Sequence, residues 1–337
     1  MPTEDSSRPA RYRMIGALIA GSLAIGGLGA WFLIGSQEGE DLCSGLLKDK
    51  RMHEVVGIED QRPESCEELG ESIKKATGAT GSGQNNLKQA QAMKNVLLAA
   101  ADHIEKSGSH LPPDLRSPIA EALTEYVGDT HIIIGTGSAE YVTNGDASDG
   151  PWTDDSGVHI SVYKETLFRV LRSVSEDPHA YAVLRMAEAR HAAKSLSSIS
   201  HAEIDANLMS YPVSNARALA AMDALADAIS TDHSKEKAAI WQKTVVDTIA
   251  NNSTEAPAFK EDPAGHITAE WANKLSATAA AKQFPLLREE GIEVAGIWAK
   301  AQGVEKENYD KLLSNCRGGA ESGYRAASDT LKKLNGK

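Results

Sequence analysis

The stretch NNLKQAQAMKNVLLAAADHIEK, residues 85–106, decides the fold class of this chain. Its apolar side chains recur at every third or fourth position, which places them on one face of an α-helix. That face consists of Leu87, Ala90, Met93, Val96, Leu97, Ala100 and Ile104. Gly108 follows shortly after, and glycine commonly ends helices. The pattern predicts an amphipathic helix whose apolar face packs into a core.

Similar patterns recur along most of the chain. Two helices are predicted before this stretch, at 42–56 and 64–77, and a shorter one after it at 117–127. Further helices are predicted at 161–174, 177–199, 214–229, 235–252, 268–282, 286–302 and 306–334. The turns between several of them are short, which favours antiparallel neighbours. The predicted fold class is therefore mostly α, with the helices arranged as a bundle.

Residues 129–160 interrupt the helical pattern. His131–Ile134 and Gly157–Ile160 are short apolar runs rich in β-branched residues, and a segment rich in Gly, Asp and Thr separates them. Such runs are typical of strands, whereas the intervening composition is typical of a surface loop. The sequence therefore predicts a small irregular or β-ribbon insertion near 129–160.

A second informative stretch lies near the N-terminus. Residues 14–35, MIGALIAGSLAIGGLGAWFLIG, contain no charged residue. Because a helix rises 1.5 Å per residue, about 20 apolar residues cross a hydrocarbon core of roughly 30 Å. Arg8, Arg11 and Arg13 precede this stretch, and basic flanks remain in the cytoplasm. The pattern predicts a single transmembrane helix in the cell membrane, with a cytoplasmic N-terminus and an extracytoplasmic C-terminal body.

The alternative for residues 14–35 is a cleaved secretory signal. Signal peptides usually have a shorter apolar region that ends at a small-residue cleavage site, and an uncleaved anchor fits this longer stretch better. Within it, Ser22, Gly26 and Ala30 recur every four residues. Small residues at this spacing allow two membrane helices to approach closely. A homodimer through this face is therefore one hypothesis, and the abundance of small residues in membrane helices is the alternative.

Changes in composition divide the chain into five segments. The predicted segments are a cytoplasmic N-terminus at 1–13, the transmembrane helix at 14–35, a membrane-proximal module at 36–77, a linker at 78–84 and a helical ectodomain at 85–337. The linker is assigned from its content of glycine and small polar residues, a composition typical of flexible connections.

The three cysteines bear on the redox state of the body. Outside the cytoplasm a disulfide can persist, and Cys43 and Cys66 lie close together in the chain. Their pairing is the favoured prediction, because it closes a short loop and stabilises by about 3 kcal/mol in the chain-entropy model. Pairing of Cys316 with either of them remains the alternative.

The charge of the chain limits its partners. The formal net charge is −12, and an acidic surface repels nucleic acid and anionic lipid. We therefore expect no nucleic-acid partner, whereas metal ions and basic proteins remain compatible with this charge. Apart from the membrane, the predicted partner is an unidentified protein.

The best metal-like spacing is Glu188-x-x-His191 in the helix predicted at 177–199. In helical di-iron proteins, a glutamate and a histidine three residues apart project toward the bundle core. Such a site needs a second pair and two further glutamates, which the sequence does not supply. The alternative is a solvated helix face, since Arg185, Arg190 and Lys194 are neighbours.

The acidic loop at 143–156 suggests calcium binding, because Asp146, Asp149, Asp154 and Asp155 lie in or beside a short polar segment. Their spacing differs from that of an EF-hand, and no glutamate closes the loop. A solvated loop is the alternative. No complete catalytic motif occurs elsewhere, so no catalytic residue and no cofactor are predicted.

Three hypotheses for function follow from these observations. The first is a membrane-anchored helical protein that acts through protein–protein contacts in a cell-envelope or secretion-related assembly. The second is an extracytoplasmic metal-binding protein or enzyme that uses Glu188 and His191 or the 143–156 loop. The third is a toxin-like helical effector, for which a second long apolar helix is missing after residue 35.

Overall fold

The computed structural model of this protein describes residues 43–56, 63–79, 85–199, 208–251 and 254–335. Among these residues, no helix combines the length and the apolar character needed to cross a membrane. The predicted transmembrane helix at 14–35, with Ser22, Gly26 and Ala30, lies outside the described residues, as does most of the predicted linker.

The described chain is mostly helical, as predicted, and carries one small antiparallel sheet. The helices are α1 (Lys50–Val56), α2 (Cys66–Thr77), α3 (Leu87–Ser107), α4 (Pro113–Thr124), α5 (Val127–Ile134), α6 (Ala139–Thr143), α7 (Lys164–Val174), α8 (Pro178–Ser197), α9 (Ser210–Asp232), α10 (Lys235–Ala250), α11 (Pro263–Ala277), α12 (Ala280–Leu287), α13 (Glu290–Ala301) and α14 (Lys306–Asn335). The strands are β1 (Trp152–Asp154) and β2 (Gly157–His159).

Helix α3 spans Leu87–Ser107, within two residues of the stretch that the sequence predicts at each end, 85–106. Asn86 accepts a hydrogen bond from the backbone N–H of Gln89 at 3.0 Å, and the Gln89 side chain accepts one from the Asn86 N–H at 2.9 Å. This reciprocal capping box satisfies two backbone donors at the start of the helix. Gly108 ends the helix in the left-handed conformation, with φ of 64°. Ala90, Met93, Val96, Leu97 and Ala100 of the apolar face are buried, which confirms the predicted amphipathic helix, whereas Leu87 in the first turn is 50% exposed.

Helix α9 packs against both α13 and α14 at close range. A Cβ atom added to Gly319 of α14 would lie 2.8 Å from the Val213 side chain, and one added to Gly291 of α13 would lie 2.6 Å from the Ala216 Cα. Both distances are too short for a real side chain, so only glycine allows these helices to approach so closely. The contacts fix α9 in the interior of the bundle.

The N-terminal part of the described chain, residues 43–56 and 63–79, is joined to the rest of the core. Cys43 and Cys66 form a disulfide with a Cα–Cα distance of 5.7 Å, as predicted. Cys316 is a buried free thiol, and burial raises the pKa of this thiol to about 12. Helices α1 and α2 pack on α3 and α4, and their apolar side chains belong to the same hydrophobic core.

The insertion near 129–160 differs from its prediction in one respect. Strands β1 and β2 form an antiparallel ribbon in which Trp152 lies opposite His159. His131–Ile134, however, belong to α5, so the predicted strand character of this run is wrong. Ile133 and Ile134 are 7% and 0% exposed. Their burial among neighbouring helices outweighs the β-propensity of isoleucine.

Candidate functional site

Helix α8 turns a row of polar side chains into the interior of the bundle. Tyr181, Arg185, Glu188 and His191 follow at intervals of four, three and three residues, which aligns them on one helix face. Arg185 is 0% exposed and Glu188 is 2% exposed. The expectation of a solvated face is therefore wrong for these two residues, because that face lies against α5, α9 and α13.

Arg185 holds together a buried cluster of charges. Its Nε donates to Glu290 Oε2 at 2.6 Å, and its Nη1 donates to Asp223 Oδ1. Nη2 donates to the carbonyl of Leu287 at 2.6 Å. Burial raises the pKa of Asp223 to about 6 and also raises the pKa of Glu290. With both carboxylates ionised, one guanidinium faces two negative charges, so the cluster carries one net negative charge in the core.

Glu188 and His191 belong to a second cluster, which begins three residues further along α8. Glu188 Oε1 pairs with His131 Nδ1 of α5, and the rings of His131 and His191 lie 4.8 Å apart between centroids. On its other side, His131 Nε2 lies 3.4 Å from Ser214 Oγ of α9. Burial lowers the pKa of His191, which favours its neutral form. The structure thus brings a carboxylate, two imidazoles and a hydroxyl together.

Neither predicted ligand set forms a recognisable metal site. The described ranges contain no group of three or more His, Cys, Asp or Glu residues arranged to hold a metal ion. In the acidic loop, Asp146 Oδ1 accepts hydrogen bonds from the backbone N–H and the hydroxyl of Ser148. Asp149 Oδ2 accepts one from the Asp146 N–H at 3.0 Å. Metal binding at Glu188 and His191, or by this loop, stays a prediction.

A single buried carboxylate fixes the ribbon to the bundle. Asp129 of α5 is 4% exposed and accepts hydrogen bonds from Tyr141 Oη at 2.6 Å, His159 Nδ1 at 2.7 Å and the Ile160 N–H at 2.9 Å. We refer to Asp129, Tyr141, His159 and Ile160 as the Asp129 clamp. Because its donors lie 12 to 31 residues further along the chain, the clamp ties a long segment to one helix.

The outer nitrogen of His159 also faces a carboxylate. Its Nε2 lies 2.9 Å from Asp154 Oδ1 and 2.9 Å from Ser156 Oγ. Partial burial lowers the pKa of His159, but the hydrogen bonds with Asp129 and Asp154 outweigh it and raise this pKa overall. An imidazole that donates from both nitrogens has no lone pair with which to deprotonate Ser156. In that doubly protonated form, the Asp129–His159–Ser156 contacts hold the ribbon in place rather than activate the Ser156 hydroxyl.

The clamp positions a segment that we call the 139–163 excursion. One further contact anchors it to α3, where Lys94 Nζ donates to the Asn144 carbonyl at 3.0 Å. Within the excursion, Ser161 Oγ donates to the Tyr141 carbonyl at 2.6 Å. On its outer surface, Val142 is 67% exposed and Tyr163 is 49% exposed. The carboxylates of Asp146, Asp149, Asp154 and Asp155 accompany them.

Sequence reasoning found part of this arrangement. It selected Glu188 and His191 by their spacing, but it missed His131, which is 57 residues from Glu188 in the chain. It missed Asp129 for the same reason. In the sequence, His131 stands out as the polar residue at the start of an otherwise apolar run, His131–Ile134. Comparison of the chain with protein-family models, curated proteins and solved structures yields no significant match, so the site is interpreted from its own geometry.

Proposed function

We propose that this protein is anchored in the cell membrane by residues 14–35 and acts by binding a protein partner through the 139–163 excursion. Its place would be a cell-envelope or secretion-related assembly, with the helical body outside the cytoplasm. The observation that carries the proposal is the exposure of Val142 and Tyr163 on a segment that the Asp129 clamp fixes to the bundle.

The anchoring of the excursion supports a role in binding. A loop that is already ordered loses less conformational entropy when a partner binds. The contacts of Asn144 with Lys94, and of Tyr141 and Ile160 with Asp129, hold the excursion along its length, and its backbone position therefore does not depend on a partner. This arrangement is typical of recognition elements on a rigid scaffold.

The chemistry of the excursion indicates the kind of partner. Exposed aliphatic and aromatic side chains supply the apolar centre of an interface, and polar groups usually surround such a centre. The excursion also carries four aspartate carboxylates, of which Asp146 accepts a hydrogen bond from Tyr163 Oη at 3.4 Å. Complementary charge on a partner speeds association and improves specificity. We therefore propose a partner surface that combines basic side chains with an apolar contact.

Site-specific photo-cross-linking tests this proposal. A photoreactive amino acid is placed at Val142 in the full chain expressed in its native membrane, and the same amino acid is placed at Ile240 as a control. Both side chains are 67% exposed, but Ile240 lies on α10, away from the excursion. A discrete adduct is expected from position 142 and not from position 240. Equal adducts from both positions, or none from either, would contradict the proposal.

Charge reversal then tests the basic character of the partner. Asp149→Lys combined with Asp155→Lys should abolish the adduct from position 142. The matched control is Glu236→Lys combined with Asp247→Lys on α10, which changes the net charge equally at a distant exposed surface. Loss of the adduct with both pairs would show that only overall charge matters, and an adduct that survives the first pair would show that the proposed surface is wrong.

A second candidate function is favoured by the Glu188 cluster. The order carboxylate, imidazole, hydroxyl in Glu188, His131 and Ser214 is the order used in nucleophilic catalysis, in which the carboxylate orients the imidazole as a base. The distance of 3.4 Å between His131 Nε2 and Ser214 Oγ is long, although such contacts often tighten when substrate binds. We propose an extracytoplasmic enzyme or metal-binding protein as this second candidate.

Two measurements test the second candidate. Hydrolysis of a panel of small esters by the purified chain should fall at least 100-fold in Ser214→Ala but not in Ser195→Ala, a change on α8 outside the cluster. Metal analysis of the chain and of His191→Ala tests the metal alternative. Stoichiometric metal that disappears in His191→Ala would support it, whereas absence of both hydrolysis and metal would exclude this candidate.

A further inference from the structure

A cavity of about 190 Å³ lies among α8, α10, α11 and α13. Its walls include the apolar side chains of Met186, Ile249 and Val294, together with Trp271 of α11 and Glu290 of α13. Arg190 of α8 stands at its exposed edge. The cavity therefore combines apolar walls with the polar side chains of Thr254 and Thr268, one acidic group inside and one basic group at the entrance.

The acidic group is part of the buried charge cluster. Glu290 is 2% exposed, and its Oε2 accepts the hydrogen bond from Arg185 Nε at 2.6 Å. Because Arg185 also pairs with Asp223, the three side chains carry one net negative charge when both acids are ionised. Uncompensated charge in an interior is unfavourable unless a proton or a cation balances it. Glu290 is the member of the cluster that lines the cavity, so a balancing cation has access there.

Trp271 adds two features to this wall. Indole rings attract cations more strongly than the other aromatic side chains do. Burial raises the pKa of the Glu290 carboxyl, and the nearby indole N–H of Trp271 lowers it. The contact between this buried N–H and the carboxyl nevertheless falls short of hydrogen-bond geometry. Within the described residues this N–H therefore has no hydrogen-bond acceptor. A ligand with an acceptor atom would provide the missing partner.

We propose that this cavity binds a small organic molecule that carries an ammonium group, with the ammonium beside Glu290 and an apolar portion against Met186, Ile249 and Val294. The size is suitable for such a ligand, since an engineered apolar cavity of about 150 Å³ in another protein accommodates benzene. A simple aliphatic amine and an α-amino acid share this chemistry. In the second case, the carboxylate of the ligand would face Arg190 at the entrance.

Three probes of nearly equal shape test the proposal by titration calorimetry on the purified full chain. Isoamylamine carries the ammonium, isoamyl alcohol replaces it with a neutral hydroxyl, and 4-methylpentanoate replaces it with a carboxylate. We expect one molecule of isoamylamine to bind per chain, at least tenfold more tightly than either of the other two. Equal affinity for the amine and the alcohol, or no binding of the amine at millimolar concentration, would overturn the proposal.

Two variants place the binding in this cavity. Glu290→Gln should remove the preference for the amine over the alcohol, because it keeps the shape and deletes the charge. Ala269→Leu should weaken both probes at least tenfold by filling the cavity, and it leaves Glu290 and Arg185 unchanged. Glu270→Leu, on the solvent-exposed side of the same helix, is the control and should change neither affinity. Unaltered binding of isoamylamine to Ala269→Leu would overturn the assignment even if Glu290→Gln failed to fold.

Leucine distinguishes the two sources of the ammonium group. It has the carbon skeleton of isoamylamine with an added carboxylate. If leucine binds more tightly than isoamylamine, and Arg190→Met removes this advantage, the ligand class is the α-amino acids. If isoamylamine binds more tightly, the class is the simple amines. This experiment is independent of the partner proposed for the excursion, because none of its variants lies in residues 139–163.

Discussion

The interior beneath α8 and the Asp129 clamp both bury carboxylates, but they balance the charge in different ways. Beneath α8, Asp223 and Glu290 share one guanidinium that is 0% exposed. At the clamp, a hydroxyl, an imidazole and an amide N–H surround Asp129, and the outer side of His159 faces the half-exposed Asp154. The difference lies in the cationic partner, since Arg185 is fully buried whereas His159 at the clamp is 16% exposed. The first cluster therefore stabilises the whole bundle, whereas the clamp positions one surface segment.

The largest expected effect is that of Arg185→Met. The substitution leaves two buried carboxylates without their cation, and loss of one partner of a buried ion pair destabilises by about 3–5 kcal/mol. Urea unfolding followed by circular dichroism measures the change. Lys194→Met, on the exposed side of the same helix, should change the free energy of unfolding by less than about 0.5 kcal/mol.

A triple variant sharpens this test. Arg185→Met combined with Asp223→Leu and Glu290→Leu removes all three charges together, and hydrophobic replacement of a buried ion cluster is often neutral or stabilising. We therefore expect the triple variant to recover most of the stability lost in Arg185→Met. If the triple variant is less stable than the single one, packing rather than charge balance governs this interior.

The second expected effect is a pH dependence that arises from Asp223. Burial raises its pKa from 3.8 to about 6, so the folded chain holds this proton more tightly than the unfolded chain does. The contribution of Asp223 to stability is therefore present below about pH 4 and is lost as the pH rises to about 6. Each pK unit corresponds to about 1.4 kcal/mol, which gives about 3 kcal/mol at most.

The measurement compares urea unfolding of the native chain and Asp223→Asn at several pH values. Relative to the variant, the native chain should lose stability between pH 4 and pH 6, and the difference should be constant above that window. A difference that instead grows in favour of the native chain over this range would mean that Arg185 lowers the pKa of Asp223 below its usual value.

The third expected effect concerns the clamp. Asp129→Asn keeps the acceptor oxygen that faces Tyr141 Oη and His159 Nδ1, but its N–H₂ group replaces Oδ2 and cannot accept from the Ile160 N–H. Loss of one hydrogen bond to a charged group costs about 1.5–3 kcal/mol, so we expect a destabilisation of about 2 kcal/mol. Hydrogen exchange should accelerate mainly in residues 139–163.

Asp155→Asn is the matched control, because this residue is an exposed aspartate in the same excursion. It should leave both exchange and stability unchanged. Accelerated exchange throughout the bundle in Asp129→Asn would show that the clamp stabilises the core, and the contrast between the two regions would then be lost.

The fold was more predictable from the sequence than these clusters were. Helix α3 follows from local signals alone: apolar side chains at helical spacing, Asn86 before the first turn and Gly108 after the last. The disulfide was also favoured correctly, since Cys43 and Cys66 are close in the chain. These features depend on neighbours along the sequence.

The buried clusters depend on distant residues instead. Arg185 meets partners 38 and 105 positions away, and nothing near it in the chain distinguishes it from exposed Arg190. Only the tertiary packing of α8 decides which arginine is buried. For the same reason, the sequence predicts strand character for the run that contains His131, whereas in the structure His131 lies in helix α5 and pairs with Glu188.

A smaller effect is expected from His159 at higher pH. Its pKa is raised in the folded chain, so its stabilising contribution is complete below the unfolded value of about 6.5 and is lost as the pH rises through the higher folded value. The exposed side of the ring weakens this contribution through solvent screening. Relative to His159→Asn, the native chain should lose stability above pH 6.5, in a window separate from that of Asp223. A loss of stability confined to pH values below 6.5 would contradict the hydrogen bonds of His159 with Asp129 and Asp154.

The smallest effect is expected for an ion pair that is fully accessible to solvent. Lys243 and Asp247 pair at an i,i+4 spacing on α10, and their side chains are 75% and 50% exposed. Exposed pairs of this kind contribute about 0.3–0.5 kcal/mol, because water solvates the separated charges almost as well. Asp247→Asn should therefore change the free energy of unfolding by less than about 0.5 kcal/mol, and 0.5 M salt should remove even that difference. An effect as large as that of Arg185→Met would show that burial is not what separates the interior beneath α8 from the surface.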